Sequence, residues 1–169
     1  MSKFKLFSRI LVAGAAFAAF AGANPAAAQS GAVAPELART LQKVADAADD
    51  AWNRRDVAAM TSRFASDATA TIGGTQQLTG KDQLGAFYTN SFKGLPHGMT
   101  HRTVVRRIEK LGDMYATDSA VFLEMPDGAN GKRVVREFFT FALIRPAGDD
   151  WEFVAVRAVP LGPAQLAAK

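Results

Sequence analysis

The chain has 169 residues, 49% of them hydrophobic, with 20 Lys and Arg against 16 Asp and Glu and no cysteine. That length suits one ordinary domain, and the lack of thiols excludes disulfide staples, thiolate metal ligation and lipidation at cysteine. Lys3, Lys5 and Arg9 carry most of the basic excess; without them 17 basic residues face 16 acidic ones, and no Lys/Arg run exceeds two, which argues against a nucleic-acid partner.

Residues 1–28 read as a signal peptide. A basic start leads into Ile10 to Ala23, an apolar run of 14 residues, shorter than the roughly 20 a membrane helix needs. Asn24-Pro25 breaks the run, and Ala26-Ala27-Ala28 before Gln29 fits a small-x-small cleavage site. No twin arginine is present, so general secretion is the expected route. The mature protein is therefore expected to be periplasmic or secreted, and off the membrane after cleavage.

Gln29 to Ala34 reads as a flexible leader, 35–161 as one folded domain and 162–169 as a loose tail. Pro35 suits the first turn of a helix. Leu37, Leu41, Val44, Ala48 and Trp52 then form an apolar stripe at helical spacing, with Arg39, Lys43, Asp46, Asp49 and Asp50 on the wet face. Asp56 is an N-cap for a second helix that buries Val57, Met60 and Phe64. Ala68 to Ile72 reads as a strand closed by Gly73-Gly74. Thr79-Gly80-Lys81-Asp82 has the spacing of a capping box, and Leu84, Phe87, Tyr88 and Ser91 mark a third helix.

The second half reads as antiparallel sheet. The strands run from Thr100 to Lys110, Met114 to Met125, Val134 to Arg145 and Trp151 to Pro160. Asn130-Gly131 is a hairpin signal between the second and third of these. The order is α-α-β-α followed by a four-strand meander: an α+β architecture with three helices on one face of a curved antiparallel sheet.

Three stretches carry a resemblance to a known family: Trp52-Asn53-Arg54-Arg55-Asp56 with Phe64-Ala65-Ser66-Asp67-Ala68; Gly80-Lys81-Asp82 opening a helix that reaches Tyr88; and Leu143-Ile144-Arg145, a turn, then Trp151 to Pro160. In these the chain resembles the NTF2-like, or SnoaL-like, superfamily, and within it the small bacterial DUF4440 and SgcJ/EcaC-type members. The resemblance implies a cone-shaped fold with a pocket and a homodimer formed through the sheet. It does not imply one reaction, since this scaffold hosts isomerases, dehydratases, cyclases, binding proteins and association modules. For the ketosteroid isomerase type, the catalytic base would fall at Ile72 and the oxyanion-binding Tyr at Ala48. Neither residue can do that work, so that type is disfavoured.

The residues offer several candidates. His97 and His101 are the only histidines, but Pro96, Gly98 and Thr100 argue against a helical metal pair. No metal site and no cofactor fingerprint is expected. His101 and Glu124 are the candidate catalytic groups. Arg157, Arg136, Tyr88, Trp52, Phe138 and Phe153 are the candidate ligand-binding groups, with Phe87 and Phe122 as further aromatics for the same cavity. Strict alternation puts Arg157 on one face with Trp151, Phe153 and Ala155, and Arg136 with Phe138 and Thr140. Two readings of these arginines stay open: structural ion pairs with acids such as Glu124, or anchors for an anionic ligand group. Arg102, Arg106, Arg107 and Lys110 read as a solvated or dimer-forming charged face.

Three functions follow as expectations. The first is a pocket for a small, mostly apolar or amphipathic molecule with a polar end at Arg157. The second is an isomerase, lyase or cyclase using His101 or Glu124 as base, with Arg157 or Tyr88 stabilising an oxyanion. The third is an association module that works through its sheet face.

Overall fold

The computed structural model describes residues 33–127 and 131–162. The expected signal peptide, most of the leader and tail, and Asn130 of the hairpin signal lie outside them. Helix α1 (Pro35–Asn53) and helix α2 (Val57–Ser62) are followed by strands β1 (Phe64–Ile72) and β2 (Gln76–Thr79), helix α3 (Gly80–Gly94), and strands β3 (Thr100–Leu111), β4 (Met114–Pro126), β5 (Lys132–Ala147) and β6 (Asp150–Pro160). One six-stranded sheet has the order β2-β1-β6-β5-β4-β3. All pairings are antiparallel except β1 with β6. No helix among the described residues is long and apolar enough to cross a membrane.

The α+β reading holds, with local corrections. The first strand begins at Phe64, not Ala68, so Phe64 fills the core from β1 rather than from a helix. β2 was not foreseen. Gly73 and Gly74 adopt φ of 65° and 81°, and that left-handed pair turns the chain back into a short hairpin. Asp56 caps α2 by accepting the Ala59 N–H at 2.9 Å. The expected capping box at Thr79 does not form; instead Gln83 Oε1 accepts the Thr79 N–H at 2.9 Å.

The apolar interior falls into two clusters. The larger joins Trp52, Met60, Phe64, Leu78, Leu84 and Tyr88; the smaller joins Leu41, Ala142 and Ile144. Between α1 and α2 the chain turns at Arg55, whose φ of 58° costs a non-glycine residue about 1–2 kcal/mol. Its guanidinium offsets this by donating to the Met99 carbonyl at 2.8 Å and the Trp52 carbonyl at 3.1 Å. It also lies 4.2 Å from the Trp52 ring centre, a favourable cation–π placement.

Strand β3 is one edge of the sheet, and α1 lies along it. Three α1 side chains hydrogen-bond the outward backbone groups of alternate β3 residues. Asn53 accepts the His101 N–H at 2.7 Å and donates to its carbonyl at 3.0 Å. Asp49 accepts the Thr103 N–H at 2.6 Å. Gln42 donates to the Thr103 carbonyl at 3.0 Å and accepts the Val105 N–H at 2.9 Å. The helix thus occupies the place of a seventh strand, and unpaired edge groups that invite foreign strands are covered. Asn53→Ala is expected to lower unfolding free energy by about 1–2 kcal/mol, since two hydrogen bonds go at a partly wet site. Urea denaturation of both proteins measures this; an unchanged midpoint would mean water replaces the amide at no cost.

Candidate functional site

Between the helices and the sheet lies a cavity of about 300 Å³, at the small end of the range for ligand pockets. Its helical wall is mainly apolar, with Leu41, Ala45, Ala48, Trp52, Met60 and Phe87 beside Asp49, Tyr88 and Ser91. Its sheet wall mixes apolar residues with His101, Thr103, Thr117, Ser119 and Thr140. The two walls therefore offer a ligand different chemistry.

The central polar feature is Asp49 with His101. Asp49 is 7% exposed, on the buried side of α1. Its Oδ1 lies 2.6 Å from His101 Nδ1 and accepts the Thr103 hydroxyl at 2.7 Å, while Oδ2 accepts the Thr103 N–H. Three donors thus fix the carboxylate. With Nδ1–H directed at Asp49, the lone pair of neutral His101 falls on Nε2. Nε2 has no hydrogen-bond partner among the described residues. The Trp52 ring lies 5.1 Å from the imidazole, tilted by 35°, and limits its rotation. A carboxylate-oriented imidazole beside an apolar cavity is equipped for proton transfer.

Tyr88 also lines the cavity, among Trp52, Phe87 and Phe92. Burial pushes its phenol well above the ordinary tyrosine range, so the hydroxyl stays neutral and able to donate. It has no hydrogen bond to a described residue.

The other expected site residues divide by sheet face. Trp52, Phe138 and Phe153 line the cavity, as does Phe87. Arg157 does not. The β5–β6 register passes from Leu143↔Ala155 to Ile144↔Phe153, so Val154 is an extra residue on β6. That bulge reverses the alternation. Phe153, Val156 and Ala158 face the cavity, and Arg157 lies on the outer face, donating to the Thr69 carbonyl at 3.2 Å and its hydroxyl at 3.1 Å. Its expected place beside Phe153 is thereby corrected.

Glu124 is also on the outer face, ion-paired with Arg102 at 2.8 Å. It and His101 sit on opposite sides of the sheet, because Leu123 rather than Glu124 is the register partner of His101. Phe122 lies outside as well, under the Arg102 guanidinium at 4.3 Å. Arg136 is exposed and absent from the cavity wall, 5.9 Å from the Phe138 ring centre. Arg107 pairs with Glu109 and Asp118, exposed contacts that add little stability. His97 is exposed. Ala48 and Ile72 both line the cavity.

Asp49 was missed. Counting it with Asp46 and Asp50 on the wet face overlooked that it falls four residues after Ala45 and three before Trp52, on the apolar stripe. Thr103, Thr117, Ser119 and Thr140 were also passed over as cavity groups, since small hydroxyl residues in strands carry no distinctive signal.

Residues 41–158 match the family model of the SnoaL-like domain. No curated protein matches the chain. Among solved structures, a domain of unknown function with a cystatin-like fold from Nostoc punctiforme is similar at TM-score 0.64 and 14% identity, over 79% of this chain and 83% of that one. A ketosteroid isomerase-like protein from Erwinia carotovora atroseptica is similar at TM-score 0.60 and 19% identity, over 77% of this chain and 100% of that one. An NTF2-like protein with a cystatin-like fold from Novosphingobium aromaticivorans is similar at TM-score 0.63 and 13% identity, over 76% and 86%. Identities this low speak to the fold alone.

Tyr88 gives a prediction of definite sign. The folded state holds the phenolic proton more tightly than the unfolded chain does. The resulting stability is complete below the unfolded value of about 10 and is lost as pH rises past it. Parallel urea denaturations of wild type and Tyr88→Phe at about pH 8 and pH 11 should therefore show the wild type losing more stability. Equal losses would place the hydroxyl in contact with bulk water.

Proposed function

The chain belongs to the SnoaL-like domain family, and from that premise we propose that it binds a small, mostly apolar molecule in its cavity and moves a proton on it through His101. Isomerase, lyase and cyclase chemistry all require such a step. The observation that carries the reading is the 2.6 Å contact between Asp49 Oδ1 and His101 Nδ1 on the wall of an otherwise largely apolar cavity. Asp49 orients the ring and stabilises the imidazolium that forms, while Nε2 takes or returns the proton. Tyr88, a neutral donor in the same cavity, is the candidate to stabilise an enolate oxygen. No cofactor enters this scheme.

The test uses 2-indanone, an apolar ketone with acidic α-hydrogens. Wild-type protein should accelerate exchange of those hydrogens for deuterium in D₂O, followed by NMR. His101→Ala should abolish the acceleration, and Asp49→Asn should lower it by about 10²-fold or more, within the range attributed to general-base catalysis. Ligand-detected NMR shows in parallel whether 2-indanone enters the cavity. Binding with exchange no faster than in His101→Ala would favour a second reading, a binding protein without chemistry. Ala48 and Ile72 support that alternative by making the α1–β1 side of the cavity inert.

Two properties of the whole protein belong to the same proposal. Residues 1–28 support export to the periplasm or the medium. Phe139 and Val159, register partners on the outer sheet face at 42% and 45% exposure, support a homodimer through that face. Phe139→Asp should then shift sedimentation from dimer to monomer with the fold intact by circular dichroism. A monomeric wild type would remove the dimer from the proposal.

A further inference from the structure

The cavity reading can be taken as far as the shape and oxygen pattern of the ligand. Thr117, Ser119 and Thr140 line the cavity, and Thr117 and Ser119 are only 2% and 5% exposed as residues. None of the three hydroxyls has a hydrogen bond to a described residue. No side-chain oxygen or nitrogen among the described residues is both sealed from solvent and unpartnered. These hydroxyls therefore open into the cavity with their bonding capacity unused by the protein.

Their spacing follows from the register. Ser119 and Thr140 are direct partners across β4 and β5, and Thr117 is two residues further along the same face of β4. The three thus form a compact group. His101 is level with Leu123, four residues along β4 from Ser119. At 3.3 Å per residue the His101 level lies about 13 Å along the sheet from Ser119 and Thr140 and about 20 Å from Thr117. Thr103 lies between them, but its hydroxyl is committed to Asp49. The sheet wall thus presents two separate polar stations with apolar surface between, and the helical wall opposite is mainly apolar, its polar lining being Asp49 on α1 and Tyr88 and Ser91 on α3.

We infer that the ligand is a flat, fused two-ring molecule with an oxygen function at each end, one at His101 Nε2 and the other on the Thr117–Ser119–Thr140 hydroxyls. A two-ring frame extended by one hydrogen bond of about 2.8 Å at each end matches the span between the stations, and it suits a cavity of about 300 Å³. The inference rests on the cavity being a ligand site and adds that selectivity comes from the hydroxyl group, which loses water on binding and needs a partner in return.

Fluorescence titration with 2-naphthol and naphthalene-2,6-diol tests this. The diol should bind about tenfold more tightly than the mono-ol, the size of one or two net hydrogen bonds. That preference should vanish in Ser119→Ala combined with Thr140→Val, and shrink in Thr117→Val. These near-isosteric changes should leave the thermal midpoint close to wild type. Equal binding of the two naphthols by wild type would overturn the two-station inference and leave the cavity reading standing. A preference for the diol that survives all three substitutions would also overturn it, placing the second oxygen elsewhere. Failure of either naphthol to bind, together with no His101-dependent exchange of 2-indanone, would remove the cavity reading itself.

Discussion

The side chains of α1 that stand in for a strand beside β3 set the geometry of everything enclosed between helix and sheet. An edge strand has alternate N–H and C=O groups pointing outward. Here those of His101, Thr103 and Val105 meet Asn53, Asp49 and Gln42. Because these are directional contacts along the helix, they fix its distance from the sheet and its rotation about its own axis. That rotation turns Leu41, Ala45 and Trp52 into the cavity. A helix held by apolar packing alone could settle deeper and fill the space.

Asp49 links this scaffold to His101. One carboxylate oxygen satisfies the β3 backbone at Thr103, and the other meets the His101 ring and the Thr103 hydroxyl. A buried carboxylate is costly unless several donors meet it, and those donors come from the strand it covers. The orientation of His101 is therefore a consequence of edge protection rather than a separate arrangement. Any change at Asp49 disturbs stability and ring orientation together, so the isosteric amide is the informative substitution and alanine is not.

Much of the fold was legible because its signals are periodic. The α1 stripe and the four long strands are patterns repeated over many residues, each repeat reinforcing the next, and the Asp56 cap follows from a strong local preference. The site was less legible because it depends on single residues that break a pattern. Val154 adds one residue to β6 and reverses which side chains face inward, so Arg157 leaves the cavity while Phe153 stays. Alternation cannot reveal a bulge, since the inserted residue is as apolar as its neighbours. Asp49 was hidden by its charge, although its position on the Ala45–Trp52 stripe placed it inside. His101 and Tyr88 could be proposed from sequence, but their neighbours could not, because Asp49 is 52 residues from His101.

Ala48 and Asp49 sit side by side on α1, and the difference between them shapes what the cavity can do. Consecutive helix positions point about 100° apart. A polar group at Ala48 would project directly at a ligand, whereas the carboxylate of Asp49 is directed onto β3. Acid–base capacity therefore reaches the cavity second-hand, through the imidazole on the sheet. With Ile72 also apolar, α1 and β1 contribute mainly shape and exclusion of water, while β3, β4 and β5 contribute every polar lining residue except Asp49, Tyr88 and Ser91. A ligand that lies with one face on the aromatic helical wall and its oxygens toward the strands satisfies both walls at once. Turned over, it would leave hydroxyls of the sheet desolvated against hydrocarbon, a penalty of about 1–3 kcal/mol for each such group. In the proposed scheme the division between the walls thus selects one orientation, with the oxygen-bearing edge of the ligand toward the sheet and His101.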